Sequence, residues 1–73
     1  MSEWFEINGM GGSISSAWVN LSKVTMVTIE KDSNDRNYYI FVDGVKVPVA
    51  FAAQMSASVT VRKIMEAINK ARD

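Results

Sequence analysis

Residues 37–49 read NYYIFVDGVKVPV, and the fold turns on this stretch. Two apolar runs flank Asp43-Gly44. A two-residue Asp-Gly loop between such runs is a strong hairpin signal, because both positions accept the positive φ of a type I′ turn. The pattern predicts strands over 37–42 and 45–50, and the short loop fixes their register. Val42 is expected opposite Val45, Phe41 opposite Lys46, Ile40 opposite Val47, Tyr39 opposite Pro48 and Tyr38 opposite Val49. Side chains alternate along a strand. One face then carries Tyr38, Ile40, Val42, Val45, Val47 and Val49, and the other carries Tyr39, Phe41, Lys46 and Pro48. Both faces are apolar, so each needs a cover.

Pro48 adds a constraint. In a two-residue hairpin the cross-strand pairs alternate between bonded and non-bonded, which makes Tyr39/Pro48 a non-bonded pair. The N–H that proline lacks would have pointed outward. The strand over 45–50 is therefore expected at a sheet edge.

Upstream, Val24–Lys31 (VTMVTIEK) is rich in β-branched residues and reads as a strand. Residues 14–20 (ISSAWVN) and 4–7 (WFEI) read as two more. Asn8–Ser13 is glycine-rich and reads as a chain reversal. Leu21–Lys23 reads as a tight connection, and Asp32–Arg36 as a polar loop. Downstream, Ala57, Val61, Ile64, Met65 and Ile68 recur at helical spacing and predict one amphipathic helix over about 57–71, with Ser56 or Ser58 as its N-cap. The expected fold is α+β: an antiparallel meander of four to five strands with one C-terminal helix packed on one face, in a single domain over 1–73.

One helix covers one face. Tyr39 and Phe41 lie on the other, and their cover is either the N-terminal strands (Trp4, Phe5, Trp18) or a second chain. Size favours the second chain. A chain of 73 residues buries only about 60–65% of the surface that its unfolded form exposes. Small domains are commonly reinforced by disulfides, metals or oligomerisation. There is no cysteine and no histidine, so disulfides and thiolate or imidazole metal sites are excluded. The expected interface residues are Tyr39, Phe41, Pro48 and Trp18.

Charge narrows the function classes. Eight Lys/Arg balance eight Asp/Glu, which disfavours a generic polyanion binder. The balance is uneven along the chain: residues 56–73, the helical tail, form its basic end. Lys46 is the one basic residue placed beside Tyr39 and Phe41. Single-stranded nucleic acid stacking on that face is the alternative reading, and it ranks below self-association.

Catalytic constellations are poorly supplied. Serine nucleophiles lack a histidine base, and Ser22-Lys23, as sequence neighbours, need not face each other. The glycines of Gly9–Gly12 precede a predicted strand, whereas a phosphate loop precedes a helix. Asp32, Asn34 and Asp35 superficially resemble a calcium loop, but Arg36 stands at the third ligand position and no Gly-plus-Glu continuation follows. No catalytic residue, cofactor or metal is expected. No stretch approaches the roughly 18 apolar residues of a membrane helix, and Met1–Ile7 lacks the basic start of a secretory signal. A soluble cytoplasmic chain is the expectation, with no membrane partner.

The order of features resembles the small flagellar-operon proteins of the FlbD-like family. The matching pieces are Asn8-Gly9, Val19-Asn20 before a short turn, the strand Val24–Glu30, Gly44-Val45-Lys46 with alternating valines, and the terminal helix over 61–71. The likeness spans about residues 7–71 and is mostly one of hydrophobic pattern. Residues Met10–Ala17, Trp18 and Tyr38-Tyr39 depart from it. The resemblance implies a non-enzymatic accessory role and carries over no catalytic residues. The sequence thus points to a small interaction module, a homodimer or higher homo-oligomer, with an unidentified protein as a further possible partner.

Overall fold

The structure is a computed structural model that describes residues 4–8 and 16–72. The chain is α+β, in the order β1 (Trp4–Asn8), β2 (Ser16–Asn20), a 3-10 turn (Leu21–Lys23), β3 (Val27–Lys31), β4 (Tyr38–Val42), β5 (Val45–Lys46) and α1 (Gln54–Arg72). The strands form two antiparallel sheets: a β1–β2 hairpin and a meander in the order β3-β4-β5. Asn8, expected to open the reversal over 8–13, instead ends β1 by pairing with Ser16; the rest of that reversal and the expected strand residues Ile14 and Ser15 lie outside the described residues.

The β4–β5 hairpin forms as its turn chemistry dictates. Asp43 and Gly44 adopt φ of 52° and 82°, the left-handed values of a type I′ turn. Val42 pairs with Val45 and Phe41 with Lys46, and the Val47 amide donates to the Ile40 carbonyl at 2.8 Å.

Beyond Val47 the expected register fails. Tyr38 pairs with Phe51, not Val49, and exchanges two backbone hydrogen bonds with it (2.7 and 2.9 Å). Pro48 therefore does not stand opposite Tyr39 in a ladder. The Val49 amide instead donates to the Val47 carbonyl at 2.8 Å, a three-residue turn around Pro48 whose locked φ suits that central position. The extra residues bulge out, and the strand expected over 45–50 shortens to Val45–Lys46. Its edge position is as expected. Val45, expected on the covered face, is 69% exposed near the hairpin tip.

The strand expected from Val24 begins at Val27. Asp43 is the cause. Its Oδ1 accepts from the Thr25 amide (2.9 Å), the Thr25 hydroxyl (2.6 Å) and the Met26 amide (2.7 Å), while its own amide donates to the Met26 carbonyl at 2.8 Å. Backbone donors bound to a carboxylate are withdrawn from strand pairing. The 3-10 turn before this segment is held by Asn20, whose Oδ1 accepts from the Ser22 amide at 3.0 Å and the Ser22 hydroxyl at 2.7 Å. These two side-chain hubs separate β2 from β3 and divide the strands between two sheets.

The helix starts at Gln54, three residues before the expected 57, so Ser56 and Ser58 are helical and neither is the N-cap. Phe51 is still pinned to Tyr38, the chain bends at Ala52-Ala53, and helix begins at once. Ala57, Ile64 and Ile68 are buried and Val61 packs against them, but Met65 is 47% exposed and does not belong to the core stripe.

Ile40, Val47, Val49 and Phe51 of the meander meet Ala57, Ile64 and Ile68 of the helix in one core. Ile7 of β1 is completely buried there, with Phe5, Ala17 and Val19 packed alongside. Fully burying a side chain of this size stabilises by roughly 1.5–3 kcal/mol. The N-terminal hairpin thus joins the helix on the inner face of the meander. Phe5, a candidate cover for the outer face, is part of this inner packing.

Candidate functional site

The outer face of the meander follows from strand register. Thr28 stands opposite Phe41, Glu30 opposite Tyr39, and Phe41 opposite Lys46. Tyr39 and Phe41 are half-buried. The residues that surround them belong to β3, β4, β5 and the connecting loop, which together line a depression of about 300 Å³.

That loop is built by its own side chains. The Asp32 carbonyl accepts from the Arg36 amide at 2.9 Å, and the Asp32 amide donates to the Asn37 carbonyl at 2.8 Å. Arg36 takes the left-handed conformation (φ 62°) that closes the turn. The Asp32 carboxylate accepts from the Asn34 amide (2.7 Å), and the Asp35 carboxylate from the Asn37 amide (2.9 Å). Carboxylates that accept from the backbone two residues on are typical turn formers. The acidic residues that superficially resemble a calcium loop are thus engaged by the loop itself.

Their second oxygens reach the sheet. Asp32 Oδ2 lies 3.3 Å from Lys46 Nζ, and the Tyr39 hydroxyl donates to Asp35 Oδ2. Lys46 Nζ sits 3.9 Å from the centre of the Tyr39 ring, within cation–π range. The Asn34 amide, then Lys46, hold the Asp32 carboxyl below its usual range. The hydrogen bond to Asp35 raises the Tyr39 hydroxyl above its usual value, because ionisation would set two anions side by side.

Trp18 and Pro48 fall together elsewhere. They line a second depression of about 280 Å³ between β2 and β5, and Lys46 borders both depressions. The four expected contact residues therefore form two pairs, Tyr39 with Phe41 and Trp18 with Pro48, joined by Lys46. The surface continues onto the β1–β2 hairpin. Trp18 stands opposite Glu6, and Trp4 shares that face two residues before Glu6. Trp4 is 55% and Trp18 60% exposed.

Sequence reading missed Asp32 and Asp35 as partners of Lys46 and Tyr39. The Asp35–Tyr39 spacing carries no strand or helix signature, and Asp32 and Lys46 meet only through the register of three strands. It also left Glu6 out of the tryptophan surface, which needed the β1–β2 pairing to be seen. Ser22, weighed beside Lys23 as a catalytic pair, donates its hydroxyl to Asn20. Among the described residues no cluster of three acidic side chains is placed to hold a metal ion, and no helix is long and apolar enough to cross a membrane.

No protein-family model matches the chain, and no curated protein or solved structure matches it significantly.

Proposed function

We propose that the protein is a non-catalytic interaction module of the cytoplasm that self-associates through its aromatic surface. Tyr39 and Phe41 form one part of that surface, and Pro48 and Trp18 the other. The observation that carries the reading is the one-sided packing of the meander. Helix and N-terminal hairpin both pack on the inner face, while the outer face keeps two aromatic side chains beneath a short loop of its own. Covering those rings with a second chain stabilises a domain whose total stability is on the order of 5 kcal/mol. The resemblance to the FlbD-like family agrees with an accessory, non-enzymatic role.

Charge weighs against single-stranded nucleic acid at the same face. Lys46 is paired with Asp32, and Glu30 and Asp32 border the rings. Phosphates approaching Tyr39 would meet carboxylates first.

Phe41→Glu tests the reading by size-exclusion chromatography with light scattering. The wild type is expected to run above the mass of one chain, and the variant as a single folded chain. Unchanged assembly in the variant refutes an interface at Phe41.

A further inference from the structure

We infer that the free edge of β3 pairs antiparallel with β3 of a second copy of the chain, across a two-fold axis at Ile29. This contact is separate from the outer face and goes beyond the self-association reading.

The meander has two edges, β3 and β5. The Val47 amide donates to the Ile40 carbonyl, so the backbone groups of Ile40 face β5. Those of Tyr39 and Phe41, one residue to either side, then face β3, where they meet Glu30 and Thr28. The N–H and C=O groups of Val27, Ile29 and Lys31 consequently point away from the sheet, and no hydrogen bond from another described residue reaches them. The Asp43 carboxylate occupies the Thr25 and Met26 amides at one end of this run, and the Asp32 amide turns to the Asn37 carbonyl at the other. The open edge is thus Val27–Lys31.

The β5 edge is blunted in ways that prevent strand addition. It is two residues long, Pro48 close behind it brings no N–H, and Trp18 of β2 lies beside it. β3 is five residues long, begins with three β-branched residues, and has neither a proline nor a positive φ. The exposed Met26 and Met65 side chains border Val27, so apolar surface and open backbone coincide there.

The strand is complementary to itself in one register. Full overlap sets Ile29 opposite its own copy, Val27 opposite Lys31 and Thr28 opposite Glu30. All three outward residues then lie in bonded pairs, no like charges oppose each other, and the Thr28 hydroxyl can donate to the Glu30 carboxylate. A slip of two residues one way opposes Glu30 to Glu30. The other way brings Lys31 to Thr25, whose amide Asp43 already holds. The axis runs through the sheet, so Tyr39 and Phe41 of both copies stay on one side and the outer face is left free. One short strand is a weak contact between single chains, with a dissociation constant on the order of 1 mM. It gains from any other contact that holds two chains together, and in the micromolar range it leaves Phe41→Glu a single chain.

Amide hydrogen exchange, followed by NMR on Phe41→Glu, tests the edge with the outer face blocked. The Val27, Ile29 and Lys31 amides are expected to exchange about twofold more slowly at about 1 mM than at about 0.05 mM, while Thr28 and Glu30, already bonded to β4, do not change. Adding Lys31→Pro is expected to abolish the difference at Val27 and Ile29, because a proline there spares the β4 ladder and blocks the edge. In a mixture of labelled and unlabelled wild type, an interchain contact between the α-hydrogens of Thr28 and Glu30 reads the register without a substitution, and it serves if either variant fails to fold. Exchange at the three amides that is independent of concentration overturns edge pairing while the outer-face reading stands. Protection that survives Lys31→Pro, or that comes without the Thr28–Glu30 contact, also overturns it. A wild type that is a single chain in the micromolar range, with the three amides still protected at about 1 mM, overturns the outer-face reading alone.

Discussion

The two faces of β4, the central strand of the meander, are both apolar and meet different fates. On the inner face Ile40 has no exposed surface and Val49 none, because the helix and the N-terminal hairpin converge there. On the outer face Tyr39 and Phe41, one residue to either side of Ile40, stay half-buried beneath a loop. The comparison teaches that β4 alone does not say which side of the layer becomes the core. Its neighbours do, with Val27 and Ile29 of β3 turned inward and Thr28, Glu30 and Lys46 outward, and tethering acts in the same direction. The amphipathic elements at both ends of the chain reach the same side, and among the described residues the other side has the polar segment between β3 and β4 and the Lys46 side chain.

The sharpest way to break the comparison is to truncate one side chain on each face. Ile40→Ala opens a cavity in the closed core and is expected to cost about 3 kcal/mol, much of a small domain's stability. Phe41→Ala, measured on dilute single chains, is expected to cost about 1 kcal/mol or less. Urea denaturation of the two variants measures both. Equal losses would mean that the outer face is as tightly packed as the inner one.

A smaller effect sharpens the role of the turn that joins the faces. Donation from the Thr25 hydroxyl, then from the Thr25 and Met26 amides, holds the Asp43 carboxyl below its usual value. A depressed carboxyl contributes stability that is complete above the unfolded value near 3.9 and is lost as pH falls through the lower, folded value. The melting temperature should therefore be level near neutrality and fall in acid below about pH 4. Asp43→Asn keeps a turn-forming side chain and an accepting oxygen but removes the charge. It should flatten part of the acid decline, and an unchanged acid profile would mean that Asp43 is not a principal source of it.

Much of this fold was legible in the sequence, and the failures share a cause. Asp43-Gly44 specified both the turn and the near register, since its chemistry is local. The end of the helix was legible through the spacing of Val61, Ile64 and Ile68. The shortened β3 and β5 were not. Their limits are set by the Asp43 carboxylate reaching Thr25 eighteen residues away and by Phe51 returning to Tyr38 past the Pro48 bulge. Those contacts exist only once the chain has folded. The candidate surface divides in the same way: Tyr39 and Phe41 could be placed by alternation alone, whereas the joining of Trp18 to Pro48 and Glu6 required two independent registers.

The central claim is that the outer face of the meander is where one chain meets another. The most direct measurement is the change in backbone amide chemical shifts as the protein is diluted through the micromolar range. The account predicts that Tyr39, Phe41, Lys46 and Trp18 shift with concentration, while Ile40 and Ile64 hold still. Spectra that superimpose at every dilution, with Tyr39 and Phe41 unmoved in a particle of single-chain mass, would contradict it.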